Sequence, residues 1–194
     1  CALPISAPLR AELPPGPALL VRALSAAAGP QANGVALVDG ASFVLPYDHG
    51  LAGALAAGGR AVTVFASDTR YNATFLAALR SLPGVQVEQA RVSGSVVPRW
   101  RGVPGYIGLL LRLWRQRRRF AIVNLQFSVL WPLELPLFAL LRRHFVFTVH
   151  NAVPHGHAAR THRPTAWLAA LARRLVFASE ATDRKSTRLN SSHT

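Results

Sequence analysis

The stretch that decides the fold reads Phe120-Ala121-Ile122-Val123-Asn124-Leu125, then a helical segment from Pro132 to Arg143, then Phe145-Val146-Phe147-Thr148-Val149. The two outer runs are short, apolar and rich in β-branched and aromatic side chains, which predicts strands, and the middle segment is long enough for a helix of about three turns. Two strands joined through a helix lie parallel, because the helix carries the chain back to the edge from which it started. Strands covered by helices on both faces can be apolar along most of their length, as these are. Pro136 falls in the first turn of the predicted helix, where a missing N–H is tolerated.

The same alternation repeats outward from this unit. Val35-Ala36-Leu37-Val38 predicts a first strand ending at Asp39-Gly40, and Asp48 is placed to cap a helix over Leu51 to Ala57 that closes at Gly58-Gly59. Ala61-Val62-Thr63-Val64-Phe65 predicts a second strand, Asn72 to Leu82 a helix ended by Pro83-Gly84, Val85-Gln86-Val87 a third strand, and Tyr106 to Arg118 a helix. Beyond Val149, Pro164 to Arg173 predicts a helix and Leu175-Val176-Phe177-Ala178 a sixth strand. The expected fold class is α/β: a doubly wound, Rossmann-like parallel sheet of about six strands, without internal repeats.

The two ends read differently. Cys1-Ala2-Leu3-Pro4-Ile5, and the run from Asp183 to Thr194, resemble translated sequencing adapters, so residues 1–6 and 183–194 are expected to lie outside the native domain. The only cysteine, Cys1, and the only lysine, Lys185, fall in these ends, so cysteine usage carries no information about disulfides. Residues 7–34, with Pro14-Pro15-Gly16-Pro17 and Gly29-Pro30, read as a linker or lead-in, and 35–182 as the domain.

Without the tail the net charge falls only from +14 to +12. Such a balance suits a nucleic-acid binder, an enzyme at an anionic membrane, or one with anionic substrates. The charge gathers at Arg112, Arg115, Arg117, Arg118 and Arg119, at the end of a helical stretch whose early part is apolar. Cations there complement a helix dipole or form a foot on anionic lipid. Exposed aromatics are not interleaved with them, so a nucleic-acid partner is not expected. The longest uncharged run in the second half, 120–133, is shorter than the roughly 18 apolar residues of a spanning helix and contains Asn124, Gln126 and Pro132. The expected location is the cytoplasm, peripherally at the inner face of the cell membrane.

Ligands of open α/β sheets bind beyond the carboxyl ends of the strands. The residues there are Asp39-Gly40, Ser67-Asp68, Gln126-Phe127, His150-Asn151 and Ser179-Glu180. Each pair also suits an ordinary turn or cap. His150, His155, His157 and His162 lie close in sequence, yet no cysteine or acid occurs between Glu134 and Glu180, so no metal site is expected. Gly50, Gly53 and Gly58 come too late after the first strand to form a dinucleotide fingerprint.

The strongest local signal is Thr148-Val149-His150-Asn151-Ala152-Val153-Pro154-His155. It resembles the Thr-Val-His-(Asn/Asp)-x-x-Pro-His segment of bacterial GT-B glycosyltransferases of family four. The likeness extends to Pro46-Tyr47-Asp48-His49 and the helix running to Gly58-Gly59, and to Leu175-Val176-Phe177-Ala178-Ser179-Glu180. It spans about Val35 to Thr182 and implies the acceptor-side half of a two-domain, retaining transferase. The half that holds the nucleotide sugar, with its Glu-x7-Glu signature, is not in the chain. The resemblance implies His150 as catalytic residue and Tyr47, Asp48, His49, Asn151, His155, Ser179 and Glu180 as substrate contacts. It further implies no bound cofactor, a nucleotide-diphosphate sugar as donor, and a lipid-linked or polysaccharide acceptor of the cell envelope. This sequence departs from the family after its first strand, where many members have a Gly-Gly loop and it reads Gly40-Ala41-Ser42-Phe43. Another Rossmann-like nucleotide-binding or NAD-binding domain, an epimerase for instance, and a basic interaction module are the alternatives.

Overall fold

Six parallel strands order themselves β3-β2-β1-β4-β5-β6 in a computed structural model that describes residues 34–69, 72–91, 99–150 and 162–177. The strands are β1 (Gly34–Asp39), β2 (Ala61–Ser67), β3 (Val85–Ala90), β4 (Phe120–Phe127), β5 (Phe145–Val149) and β6 (Arg174–Phe177). The helices are α1 (Leu45–Ala57), α2 (Ala73–Ser81), α3 (Arg99–Gln116), α4 (Trp131–Leu140) and α5 (His162–Leu171), with a 3-10 turn at Arg117–Arg119. This is the doubly wound, Rossmann-like α/β class that the alternation predicts.

All six residues of β1 are buried, because side chains of a strand alternate between two covered faces. Val35 and Leu37 pack with Leu45, Leu51 and Leu55 of α1 and Leu76 and Leu79 of α2. Ala36 and Val38 pack with Tyr106, Leu109 and Leu113 of α3, Phe138 of α4 and Leu168 of α5. Each large apolar side chain buried in these layers contributes on the order of 1.5 to 3 kcal/mol.

Several element boundaries differ from those the sequence predicts. Helix α1 begins at Leu45, six residues early, with Pro46 in its first turn; Asp48 therefore sits inside that turn, and Asp39 accepts the Val44 N–H at 3.0 Å. Helix α3 runs through Pro104 and starts at Arg99, since a proline one turn in costs a single internal hydrogen bond. Helix α4 stops at Leu140 instead of Arg143, and because it starts at Trp131, Pro136 lies past its first turn. Strand β4 is two residues longer than predicted and β3 three, since polar residues at their ends still pair. Gly59, in the left-handed region at φ 78°, makes the turn from α1 into β2, as the Gly58-Gly59 pair predicts.

The strand order reverses between β1 and β4, which opens a crevice beyond their carboxyl ends. The loops that flank it, 40–44 and 128–130, are held by different means. Ser42 has φ 56°; its hydroxyl donates to the Ser67 carbonyl at 3.0 Å and accepts the Ser67 N–H at 2.8 Å. Gly40 is required because a Cβ there would stand 2.4 Å from the Tyr106 ring. On the other side the buried Glu134 carboxylate accepts the N–H groups of Val129 at 2.7 Å and Leu130 at 3.0 Å, and the hydroxyls of Tyr106 and Ser128.

Candidate functional site

Strand β5 ends at Val149 and delivers His150 into the crevice. Phe127, the last residue of β4, stacks on its imidazole, with ring centroids 5.4 Å apart and planes 13° from parallel. Tyr47 of α1 meets the same imidazole edge-on at 5.2 Å, and Phe43 meets Phe127 edge-on at 5.6 Å. Four rings thus run from the exposed Phe43 through Phe127 and the half-buried His150 to Tyr47.

Beneath these rings lies a row of polar side chains in an otherwise apolar layer. Thr148 donates to the Asn124 side-chain oxygen at 2.9 Å, and one pleat further on His150 Nε2 meets Gln126 Oε1 at 2.8 Å. Asn124, Gln126 and Thr148 are buried, so the row fixes His150 from below. An amide oxygen accepts only, so Nε2 carries the proton and donates it, which leaves the imidazole lone pair on Nδ1.

Burial lowers the His150 pKa to about 4 from its ordinary 6.5, so the ring is neutral near pH 7. Between those two values the unfolded chain binds more protons here than the folded one. The stabilisation from this neutral ring is therefore complete above pH 6.5 and declines as pH falls towards 4, by on the order of 2 kcal/mol. Denaturant titrations from pH 7 to 4 should show that decline in the wild type and a shallower one in His150→Phe. Equal slopes would place the imidazole in solvent.

Asp39 and Asp48 close the floor of the crevice under Tyr47, and neither is exposed. Burial raises the Asp39 pKa, against the opposing hydrogen bond from the Val44 N–H. Burial raises Asp48 well above the usual carboxylate range, and the charge of Asp39 adds to the effect. Asp39 Oδ1 and both Asp48 oxygens have no N–H or other hydroxyl donor. A proton held on Asp48 and donated to Asp39 Oδ1 would pair two of these three oxygens. Burial, and then Asp48, push the Tyr47 phenol up to about 12, so it stays a neutral hydroxyl. The consequence for ligands is direct: Asp39 occupies the amino-terminal end of α1, where a Rossmann-like fold otherwise receives a phosphate.

Of the residues singled out from sequence, Tyr47 and His150 come together. Asp48 is buried against Asp39 and supports the site from behind, while His49 follows on α1, half-buried. Asn151, His155, Ser179 and Glu180 lie outside the described residues. Arg117–Arg119 lie at the other end of the sheet, where they lead into β4, whereas Arg112 reaches the edge strand β3. Arg112 pairs with Glu88 at 3.1 Å and donates to the Gln89 carbonyl; Arg117 lies over the Trp114 ring at 3.9 Å. Arg115, Arg118 and Arg119 are exposed. Among the described residues no group of three or more His, Cys, Asp or Glu could hold a metal ion, and no helix is long and apolar enough to cross a membrane.

Sequence reasoning missed Phe43 and the roles of Asp39 and Gln126. A usable signal existed for the last. Asn124 and Gln126 in one strand, and Thr148 and His150 along the next, repeat the same two-residue polar spacing on facing strands. No protein-family model, curated protein or solved structure matches this chain.

Proposed function

We propose that this domain is the acceptor-side half of a GT-B-like glycosyltransferase, with His150 as the residue that meets the sugar at the reacting centre. The observation that carries the reading is the neutral imidazole, clamped between Phe127 and Tyr47 and hydrogen-bonded to Gln126, at the crevice where the strand order reverses. A neutral imidazole can exchange hydrogen bonds with sugar hydroxyls without introducing a charge. The occupied amino terminus of α1 agrees with this division of labour, since a donor diphosphate must then find its cations and amide groups on a second domain. The donor is a nucleotide-diphosphate sugar and the acceptor a lipid-linked or polysaccharide chain.

The test is to compare this chain with a longer form that carries a carboxyl-terminal α/β half. The chain alone should transfer no sugar and bind nucleoside diphosphates weakly, because one wall of the cleft is missing; the longer form should do both. Tight diphosphate binding by the chain alone would place the donor site here and overturn the reading.

A second feature favours work at a membrane surface. Ile107 and Leu111 are exposed on α3, and Arg115 continues their row one turn on, with Arg118 and Arg119 beyond it. Each basic residue near an anionic surface contributes about 1 kcal/mol, so these three arginines hold the domain there only at low salt. Co-sedimentation with phosphatidylserine vesicles should be lost in 0.5 M salt, on the order of a Debye length below 5 Å. It should also be lost when the three arginines become glutamate. Binding indifferent to both would exclude this role.

A further inference from the structure

Strands β4, β5 and β6 are neighbours, and the connections that feed their amino-terminal ends carry Arg117–Arg119, Arg142–Arg143 and Arg173–Arg174. Adjacent strands lie about 4.8 Å apart, so these connections fall within about 10 Å of one another, near a Debye length at physiological salt. Their charges act as one patch. Backbone contacts tie the connections together: the Val123 N–H donates to the His144 carbonyl at 2.8 Å, and the Arg173 N–H to the Phe145 carbonyl at 2.9 Å. The Arg173 guanidinium also donates to the Arg143 carbonyl at 3.2 Å. Arg118, Arg119, Arg142, Arg143 and Arg173 are exposed.

The acids go elsewhere. Residues 117–120, 140–146 and 171–177 contain no Asp or Glu. Asp39, Asp48 and Glu134 sit at the crevice end, Asp68 follows the carboxyl end of β2, and Glu88 pairs with Arg112 on β3. Residues 1–33, which precede β1 in sequence, bring one acid, Glu12, against Arg10 and Arg22. Like charges gathered this closely repel one another, and an anionic partner relieves the repulsion.

Arginines alone do not choose between the phosphates of lipid and those of nucleic acid. Their neighbours do. Leu140 ends α4 two residues before Arg142 and is 71% exposed, and Leu175, also exposed, follows Arg173 by two residues. Leucines among arginines suit the boundary of a bilayer, where phosphates and alkyl chains lie together. A nucleic acid would leave the leucines in water, and no exposed aromatic side chain on these connections is present to stack a base.

We infer that the amino-terminal end of the sheet at β4, β5 and β6 is the face that meets an anionic bilayer, with the crevice opening away from the lipid. The inference deepens the membrane-surface reading: Arg118 and Arg119 serve both faces, while Arg142, Arg143 and Arg173 belong to this one alone. Strand β1 places the crevice roughly 20 Å from that end. On the transferase reading, the acceptor must extend that far, which suits the end of a polymer and not a saccharide lying in the headgroup layer.

The experiment is co-sedimentation of the full chain with vesicles of equimolar phosphatidylserine and phosphatidylcholine, with a DNA duplex as competitor. Each arginine at the surface is worth about fivefold in partitioning, so Arg142→Gln with Arg143→Gln should weaken binding about twenty-fivefold, and adding Arg173→Gln about a hundredfold. The double variant leaves the Arg173 hydrogen bond to a backbone carbonyl in place, and circular dichroism checks that both variants fold. Leu140→Ser should weaken vesicle binding severalfold and leave duplex binding unchanged. In a Cys1→Ser background, a bimane label at Leu140→Cys should shift to the blue on vesicles, and one at Phe43→Cys should not. Wild-type binding by the folded double and triple variants overturns the inference, as does a blue shift at position 43 alone. Tighter binding to the duplex than to vesicles, with the same arginine dependence, overturns the lipid assignment. Ile107→Ser with Leu111→Ser and Arg115→Gln separates the two faces. Binding lost in this variant and kept in the Arg142, Arg143 and Arg173 variant leaves the α3 row standing and sinks the present inference; the opposite pattern does the reverse.

Discussion

Replacing Glu134 by alanine should lower folding stability by on the order of 4 kcal/mol, the largest loss expected from any single polar substitution in the domain. The carboxylate is fully buried and accepts four hydrogen bonds: from the Tyr106 and Ser128 hydroxyls and from the Val129 and Leu130 N–H groups. Truncation leaves those donors without a partner and opens a space in the wall of the crevice. Burial and the neighbouring Glu134 together raise the Tyr106 phenol well above its usual value, so it remains a donor that needs this acceptor. The glutamine variant separates the causes. Tyr106, Val129 and Leu130 all use Oε1, which glutamine retains, and its amide can donate to the Ser128 hydroxyl. Glu134→Gln should therefore cost about 1 kcal/mol, and Glu134→Ala should lower the melting temperature by roughly 10 °C. If the two variants unfold at the same denaturant concentration, Glu134 is not the clamp on the 128–130 loop.

The network around Glu134 also shows what a single sequence conveys and what it hides. The parallel sheet was legible because alternation of apolar runs with helical stretches is a local signal, carried by runs such as Phe145–Val149 and Ala61–Phe65. The crevice was legible through His150, since a polar residue directly after a buried strand has one place to go. Glu134 was not, because a glutamate in the first turn of a helix is ordinary and its partner Tyr106 lies 28 residues away. Asp39 and Asp48 were hidden for a similar reason. Each suits a turn or a cap by itself, and only the fold reveals that both are buried, close enough for the charge of Asp39 to act on Asp48. Phe43 reads as one more apolar residue until the backbone of Ser42 shows which way it faces. Pairings distant in sequence, and side-chain directions set by unusual backbone, are what the linear pattern does not encode.

On the proposed transferase reading, His150→Ala should reduce turnover by roughly a hundredfold in a longer form that transfers sugar, the scale of removing one preorganised polar contact at a reacting centre. Three features make the position preorganised. Strand β5 is buried along its whole length, so its end is fixed by the sheet. Gln126 holds Nε2 at 2.8 Å, and Phe127 and Tyr47 confine the ring from two sides. The stability cost should be smaller, about 1 kcal/mol, because the substitution frees one buried amide oxygen and leaves the apolar layers intact. The pH dependence supplies a second readout. With a pKa near 4, His150 is neutral throughout the range from pH 5.5 to 8, so the wild-type rate should show no titration attributable to it there. In Gln126→Glu a carboxylate replaces the amide facing Nε2, which favours the imidazolium and raises the His150 pKa. That variant should gain a titration inside the same range, with the rate falling at the acid side as the ring becomes charged and loses its acceptor. A stable His150→Ala enzyme with near-normal turnover would show that the imidazole only packs against Phe127. A Gln126→Glu enzyme whose rate profile matches the wild type, while NMR shows the raised pKa, would mean that the charge on His150 has no bearing on the reaction.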